Sequence, residues 1–331
     1  YRPGISILDE TDSQTVVRDL LPEGTAPEMV RLARAQVSRW KNRAMAAGEA
    51  VSDSLSRGEA SIWQLYRKYE EHLRRINAVD FDDLILQSLK ALEMKSVRLK
   101  WQQKIRYLLV DEYQDTNETQ YRMLRLLAGE DGRLTAVGDD DQSIYGWRGA
   151  QPENLQQLAV DYPALTVIKL EQNYRSCGTV LKAANALIAN NPHAIEKRLW
   201  SALGDGDVIR IIPCADEKEE AAMIAAEILH RKHTSRARWG DFAVLYRGNH
   251  QSRVFEQAFR EQRIPYHLSG GTSFFERTEV KDLMCYLRLA VNPNDNTAFM
   301  RIVNTPRRDL GVTSRGRIAE FAGMHRCSLF E

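Results

Sequence analysis

Apolar residues recur at every third or fourth position from about Asp9 to Lys100, as in Trp63, Tyr66 and Tyr69, and the positions between hold many Arg, Lys and Glu. That period predicts amphipathic helices, and strand signals are nearly absent from the stretch. Beyond it the rhythm changes. Short apolar runs at Tyr107 to Val110, Leu134 to Val137, Thr166 to Leu170, Val208 to Ile212 and Phe242 to Tyr246 read as buried strands. They alternate with helical stretches at Asn117 to Ala128, Thr179 to Asn190, Glu217 to Lys232 and Gln251 to Gln262. Such alternation predicts α/β architecture built on parallel sheet. From Glu276 the helical period returns through Val280, Leu283, Met284, Leu287 and Leu289, with breaks at Asn292-Pro293-Asn294 and Asn304-Thr305-Pro306.

At 331 residues and 43% hydrophobic content, the chain is long enough for two or more domains and too apolar to be disordered. Its 46 basic side chains nearly cancel 45 acidic ones, so any nucleic-acid contact must come from local patches and stacking. Cys177, Cys214, Cys285 and Cys327 form no pair or Cys/His group at metal-ligand spacing, which predicts a reduced, cytoplasmic protein. No apolar run approaches the roughly 20 residues of a membrane span, so no membrane partner is expected. The start at Tyr1 has neither an initiator Met nor a signal-peptide core and reads as the middle of a longer chain.

The chemistry concentrates after two of the expected strands. Tyr107 to Val110 delivers Asp111 and Glu112 at its C-terminal edge, where parallel sheets bind ligands. Phosphoryl transfer from a nucleotide needs one carboxylate to hold Mg²⁺ and a second group to orient or deprotonate water, and these two acids fit those roles. Taken alone, an acidic pair there also suits a helix cap. The next strand ends in Gly138-Asp139-Asp140-Asp141-Gln142-Ser143-Ile144-Tyr145-Gly146-Trp147-Arg148-Gly149. Gln142 is placed to sense a terminal phosphate. Tyr145 and Trp147, with Arg148 adjacent, suit a base-stacking platform, although an isolated Tyr-x-Trp more often packs in a core. The third strand leads to Tyr174 and Arg175, an arginine able to meet a transferring phosphate across a cleft or simply to form a surface salt bridge.

In this order and spacing the motifs resemble superfamily-one DNA helicases of the UvrD, PcrA and Rep type. Asp111-Glu112-Tyr113-Gln114-Asp115 is similar to their motif II, Val137 to Ala150 to motif III, and Leu170 to Ser176 to motif IV; Leu245 to Arg253 and Gly270 to Phe275 look like later family segments. The resemblance implies that Asp111 holds Mg²⁺, Glu112 activates water and Gln142 senses the γ-phosphate of ATP. It implies that Tyr174 stacks on adenine and Arg175 is the arginine finger, while Tyr145, Trp147, Arg148, Arg247 and Asn249 contact DNA. By the same comparison 1–93 is the helical insertion 1B, and 94–173 the later part of a RecA-like motor domain 1A. Residues 174–270 are then the first part of motor domain 2A, and 271–331 the start of insertion 2B. The implied function is 3′ to 5′ movement on single-stranded DNA and unwinding at duplex junctions during replication, with homodimerisation and replication-protein partners left open.

One expected part is missing from these residues. A P-loop, G-x-x-x-x-G-K-[S/T], cradles phosphates in NTPases of this class, and no glycine here is followed by lysine. The 331 residues alone are therefore expected to hydrolyse ATP negligibly. A rival reading is an ATP-independent single-strand-binding or interaction module on a motor fold. Two basic stretches remain: Arg31, Arg34, Arg39, Lys41 and Arg43, suited to phosphate tracking or to a solvated face, and Arg307, Arg308 and Arg315. In the latter, Asp309 stands in Thr305-Pro306-Arg307-Arg308-Asp309-Leu310-Gly311 where the family's duplex-contacting turn has glycine.

Overall fold

The computed structural model describes residues 1, 3–45, 57–191, 196–269, 277–325 and 327–330. These divide into two compact units, one formed by 1–206 with 285–331 and the other by 207–284. The family-like segment Gly270 to Phe275 lies outside the described residues.

In the first unit the helical period is realised as α1 (Glu10–Leu20), α2 (Pro27–Asn42), α3 (Arg57–Arg75), α4 (Phe81–Glu93) and α5 (Lys95–Lys104). Local chemistry sets their starts. Asp9 and Asp12 form a reciprocal capping box on α1, Pro27 opens α2, and Asp80 with Asp83 form a second box on α4. Trp40, Trp63, Tyr66, Tyr69 and Leu73 join Leu8, Val17 and Val37 in one core, with the Trp40 and Trp63 rings edge to face at 4.9 Å. One expectation fails here: strand β2 (Ala78–Asp80) lies inside the stretch read as helical, where it pairs in parallel with β1 (Ser6–Leu8), just ahead of that stretch. Three residues are too few to display a period of two.

The next part of this unit follows the expected alternation. Strand β3 (Leu108–Val110) pairs in parallel with β4 (Leu134–Ala136), in register Leu108 to Leu134 and Val110 to Ala136. Between them α6 (Glu118–Ala128) starts on an Asn117/Gln120 capping box and stops at Gly129, whose φ of 70° suits glycine. Helices α7 (Asn154–Asp161) and α8 (Gly178–Ile188) follow. Tyr113, Tyr121 and Leu158 form the small core behind the β3–β4 pair, and the Tyr121 hydroxyl bonds the Asp161 carboxylate.

The second unit holds α9 (Glu217–Thr234) and α10 (Ser252–Glu261), packed through Ala221, Ala225, Phe255 and Phe259. From residue 278 onward, α11 (Thr278–Val291), α12 (Asn296–Ile302) and α13 (Val312–His325) realise the returning helical period, broken where the two prolines predict. The Asn296 side chain donates to the Ile76 carbonyl at 3.2 Å and the Ser6 hydroxyl to Asp295 at 2.7 Å, seating α12 on the first core.

Three of the five expected strands, 166–170, 208–212 and 242–246, form no ladder among the described residues. A strand exists only against a partner strand's N–H and C=O groups, and no described segment presents such a ladder to these three. Their apolar side chains are correspondingly open, with Ile211 at 94% and Leu245 at 93% exposure. Phe242, Val244 and Tyr246 still alternate inward onto the Phe255 core, so the period of two survives without the ladder. The fold is thus mixed helix and strand with small parallel sheets. No described helix is long and apolar enough to cross a membrane.

Candidate nucleotide and nucleic-acid site

The β3–β4 pair delivers two loops side by side. Past the last register pair, Val137 N–H donates to Val110 C=O at 2.8 Å and Tyr113 N–H to Val137 C=O at 2.9 Å, so the chain after Glu112 stays stitched to the end of β4. Asp111 and Glu112 sit at the turn between these bonds. Glu112 has φ 50° and ψ 44°, a left-handed conformation that a residue with a side chain adopts at a cost of about 1–3 kcal/mol, typical of functional turns. Tyr113, 1% exposed, anchors the following 3₁₀ turn in the core. Both carboxylates are exposed, neither forms an ion pair among the described residues, and Asp111 accepts the Glu112 N–H at 2.9 Å.

Gln114, fully buried, joins the acidic pair to the Gln142 loop. Its amide donates to the Glu112 carboxylate at 2.8 Å and its carbonyl accepts the Asp139 N–H at 3.0 Å. Asp139 in turn accepts the Gln142 side-chain amide at 2.6 Å. The two loops can approach this closely because residue 138 is glycine: a Cβ there would lie 2.9 Å from the Gln114 carbonyl oxygen and 3.2 Å from Tyr113 Cβ. Glu112, Gln114, Asp139 and Gln142 therefore form one continuous hydrogen-bonded chain. Sequence reasoning missed Gln114, whose only signal was its place between two acids of the motif.

The consecutive acids 139–141 are gathered by Lys197, at 2.7 Å from Asp139, 2.6 Å from Asp140 and 2.9 Å from Asp141. Partial burial would pull the lysine pKa down, but hydrogen bonds to the three carboxylates outweigh it and raise the value. Their oxygens lie within 4.8 Å of one another, a spacing that also suits a metal ion, and the ammonium is the cation present there. Nothing in the sequence around Lys197 announced this.

Beyond that turn the chain carries the aromatic pair. Trp147 is 71% exposed, which excludes the core-packing reading for it, and Tyr145 is partly exposed. Their centroids are 6.4 Å apart, and the Arg148 guanidinium lies 5.1 Å from the Tyr145 ring and 4.5 Å from the Trp147 ring. Tyr174 is exposed, its hydroxyl bonded to Gln172 at 2.8 Å. Arg175 is exposed and forms no ion pair among the described residues, so the surface-salt-bridge reading fails. No hydrogen bond or ion pair joins Arg175 to Asp111, Glu112 or Gln142. Arg247 and Asn249 are exposed in the second unit, just after the Phe242–Tyr246 segment and at the 3₁₀ turn that precedes α10.

Both basic stretches are partly spent on the fold. Lys41 is fully buried, because it shares the inward face of α2 with Val30, Val37 and Trp40; it contacts Glu70, Asp80 and Asp83, each at 2.8 Å. Arg34 pairs with Glu10 at 3.3 Å. In the second stretch Arg308 donates to the carbonyls of Ile302, Val303 and Thr305 at 2.7–3.2 Å, closing the end of α12, and Arg307 pairs with Asp309 at 2.9 Å. Asp309 takes the left-handed conformation, φ 56°, that favours glycine.

Two family profiles match in tandem: that of the UvrD/REP helicase N-terminal domain over residues 1–163, and that of the UvrD-like helicase C-terminal domain over residues 168–330. The chain belongs to the UvrD/Rep helicase family. This UvrD/Rep-family chain is 47% identical over 332 residues to the ATP-dependent DNA helicase Rep of Escherichia coli (strain K12), covering 99% of the chain and 49% of that protein. It is 42% identical to Rep of Buchnera aphidicola subsp. Schizaphis graminum, with 100% of the chain and 51% of the relative covered. Identity to the ATP-dependent DNA helicase PcrA of Staphylococcus aureus (strain Mu50) is 38%, with 98% and 45% covered. The chain spans about half the length of the curated relatives it matches.

Proposed function

We propose that this chain is part of an ATP-dependent DNA helicase and translocase. The observation that carries the reading is the hydrogen-bonded chain from Glu112 through Gln114 and Asp139 to Gln142, which makes the acidic pair and the polar loop one device. Exposed carboxylates at the end of a parallel strand, without an ion pair among the described residues, fit a hydrated Mg²⁺ bound to ATP, which when present supplies Lewis-acid stabilisation of phosphate charge. In this reading Asp111 holds the cation, Glu112 orients and deprotonates the attacking water, and Gln142 reads the γ-phosphate. Tyr174 stacks on the adenine, and Arg175, which forms no ion pair among the described residues, serves as the finger. Tyr145, Trp147 and Arg148 hold single-stranded bases, and Arg247 and Asn249 touch the strand.

The proposed division is insertion 1B over 1–93, the later part of RecA-like domain 1A over 94–173, the first part of 2A over 174–270 and the start of 2B from 271. Cleft closure on ATP and opening after hydrolysis would advance a single strand past the aromatics, 3′ to 5′ by family resemblance, and part duplex junctions in replication. The four unpaired cysteines suit a reducing cytoplasm.

The test is DNA-stimulated ATP hydrolysis by the protein extended to its relatives' length. Glu112→Gln is expected to lower kcat by about 10²–10⁴-fold with single-strand affinity retained. Full turnover by that variant sinks the assignment. The 331 residues alone, which contain no G-x-x-x-x-G-K-[S/T], are expected to turn over negligibly. A second reading is an ATP-independent single-strand-binding or interaction module on the same fold; DNA binding without any turnover at full length would select it.

A further inference from the structure

Lys197 belongs to a stretch laid beside the chain that leads into Tyr174 and Arg175. Asn173 N–H donates to Trp200 C=O at 2.7 Å, Trp200 N–H to Glu171 C=O at 3.0 Å, and Arg198 N–H to the Glu171 carboxylate at 2.8 Å. Lys169 reaches the Glu196 carbonyl at 2.6 Å. Segment 196–200 is thus fixed along 169–173 by four hydrogen bonds, and one side chain from it crosses to the 139–141 turn.

We propose that Lys197 is a positioning residue that couples the Gln142 turn to the Tyr174–Arg175 segment. An ammonium has three N–H donors, and here three carboxylates converge on it. Without that charge the acids, with oxygens within 4.8 Å, repel one another and the turn opens. The consequence reaches Gln142 through Asp139, one of whose oxygens faces Lys197 while the other accepts the Gln142 amide. It reaches Glu112 as well, because the Asp139 N–H is bonded to Gln114. A shift of segment 169–175 is therefore transmitted to the loop that holds Gln142, and the reverse. A guanidinium is planar and cannot offer three convergent donors, so arginine is a poor substitute despite its charge. The meaning of the coupling for catalysis rests on the helicase reading; the coupling itself does not.

Hydrogen–deuterium exchange on the 331-residue chain tests it without nucleotide. Lys197→Ala is expected to speed exchange by about tenfold or more in both 138–143 and 169–175, with the α2–α4 core unchanged as a folding control. Asp140→Asn, which weakens the contact from the other side, is expected to loosen 169–175 and 196–200. Changes confined to the mutated segment in both variants, or no change, overturn the proposal. In the full-length protein Lys197→Ala is expected to lower kcat about tenfold with ATP KM little changed, and Lys197→Arg to recover only part of it. Exchange coupling without any ATPase in the parent protein would leave the latch standing and remove the motor reading. Glu112-dependent ATPase with uncoupled exchange would do the opposite.

Discussion

Lys41 and Lys197 each hold three carboxylates at 2.6–2.9 Å, yet they do different work. Lys41 and Asp83 have no exposed surface, and Glu70 and Asp80 have little. Their contacts tie α2, α3, and the start of α4 around a core of tryptophan and tyrosine, and Tyr69 adds a hydrogen bond to Asp80 at 2.9 Å. Lys197 is one-fifth exposed and joins a loop to an irregular segment. The same charges serve as a keystone where water is excluded and as a releasable tie where water enters, because desolvation decides what losing a partner costs.

The largest expected effect separates the two directly. Lys41→Met leaves buried carboxylates without a cation and should cost about 3–5 kcal/mol, whereas Lys197→Met should stay within about 1 kcal/mol. Urea unfolding of both variants checks the contrast, and equal losses would break it. Next comes salt. Raising NaCl to about 1 M, where the Debye length is about 3 Å, should loosen exchange at 138–143 while leaving the α2–α4 amides protected.

The smallest effect is with pH. Burial pushes Asp83 up to about 6, with Asp80 and Glu70 adding to it against the pull of Lys41. The folded chain then takes up a proton near pH 6 that the unfolded chain takes up only near 4. Stability should therefore rise as pH falls from 7 to 5, by about 1 kcal/mol, and Asp83→Asn should flatten that slope. Asp80 behaves oppositely. Burial raises it, but Lys41, the Asp83 N–H and Tyr69 outweigh burial and lower it, so its contribution is lost only at still lower pH.

Much of the site was legible because its signals are local. An apolar strand followed by two acids, and another followed by a glycine and a polar loop, are patterns complete within ten residues, and β3 and β4 appear where expected. The capping boxes at Asp9, Asp80 and Asn117 place helix starts equally well. What stayed hidden depends on partners far along the chain. Lys197 lies 57 residues from Asp140, and Lys41 lies 39 from Asp80 within a run that looked like a solvated basic face. The segments 166–170, 208–212 and 242–246 have strand composition, but a ladder needs a neighbour as well as a propensity. Arg308 shows the same limit. Its neighbours in sequence suggested phosphate, while its neighbours in space are the carbonyls at the end of α12.

The left-handed backbone at Glu112 sets stability against the carboxylate that the proposed chemistry needs. A screen that rewarded only thermal robustness would drift toward glycine or asparagine at that position, since either relaxes the strained turn. Such a lineage would gain robustness and lose the carboxylate on which the proposed activation of water depends.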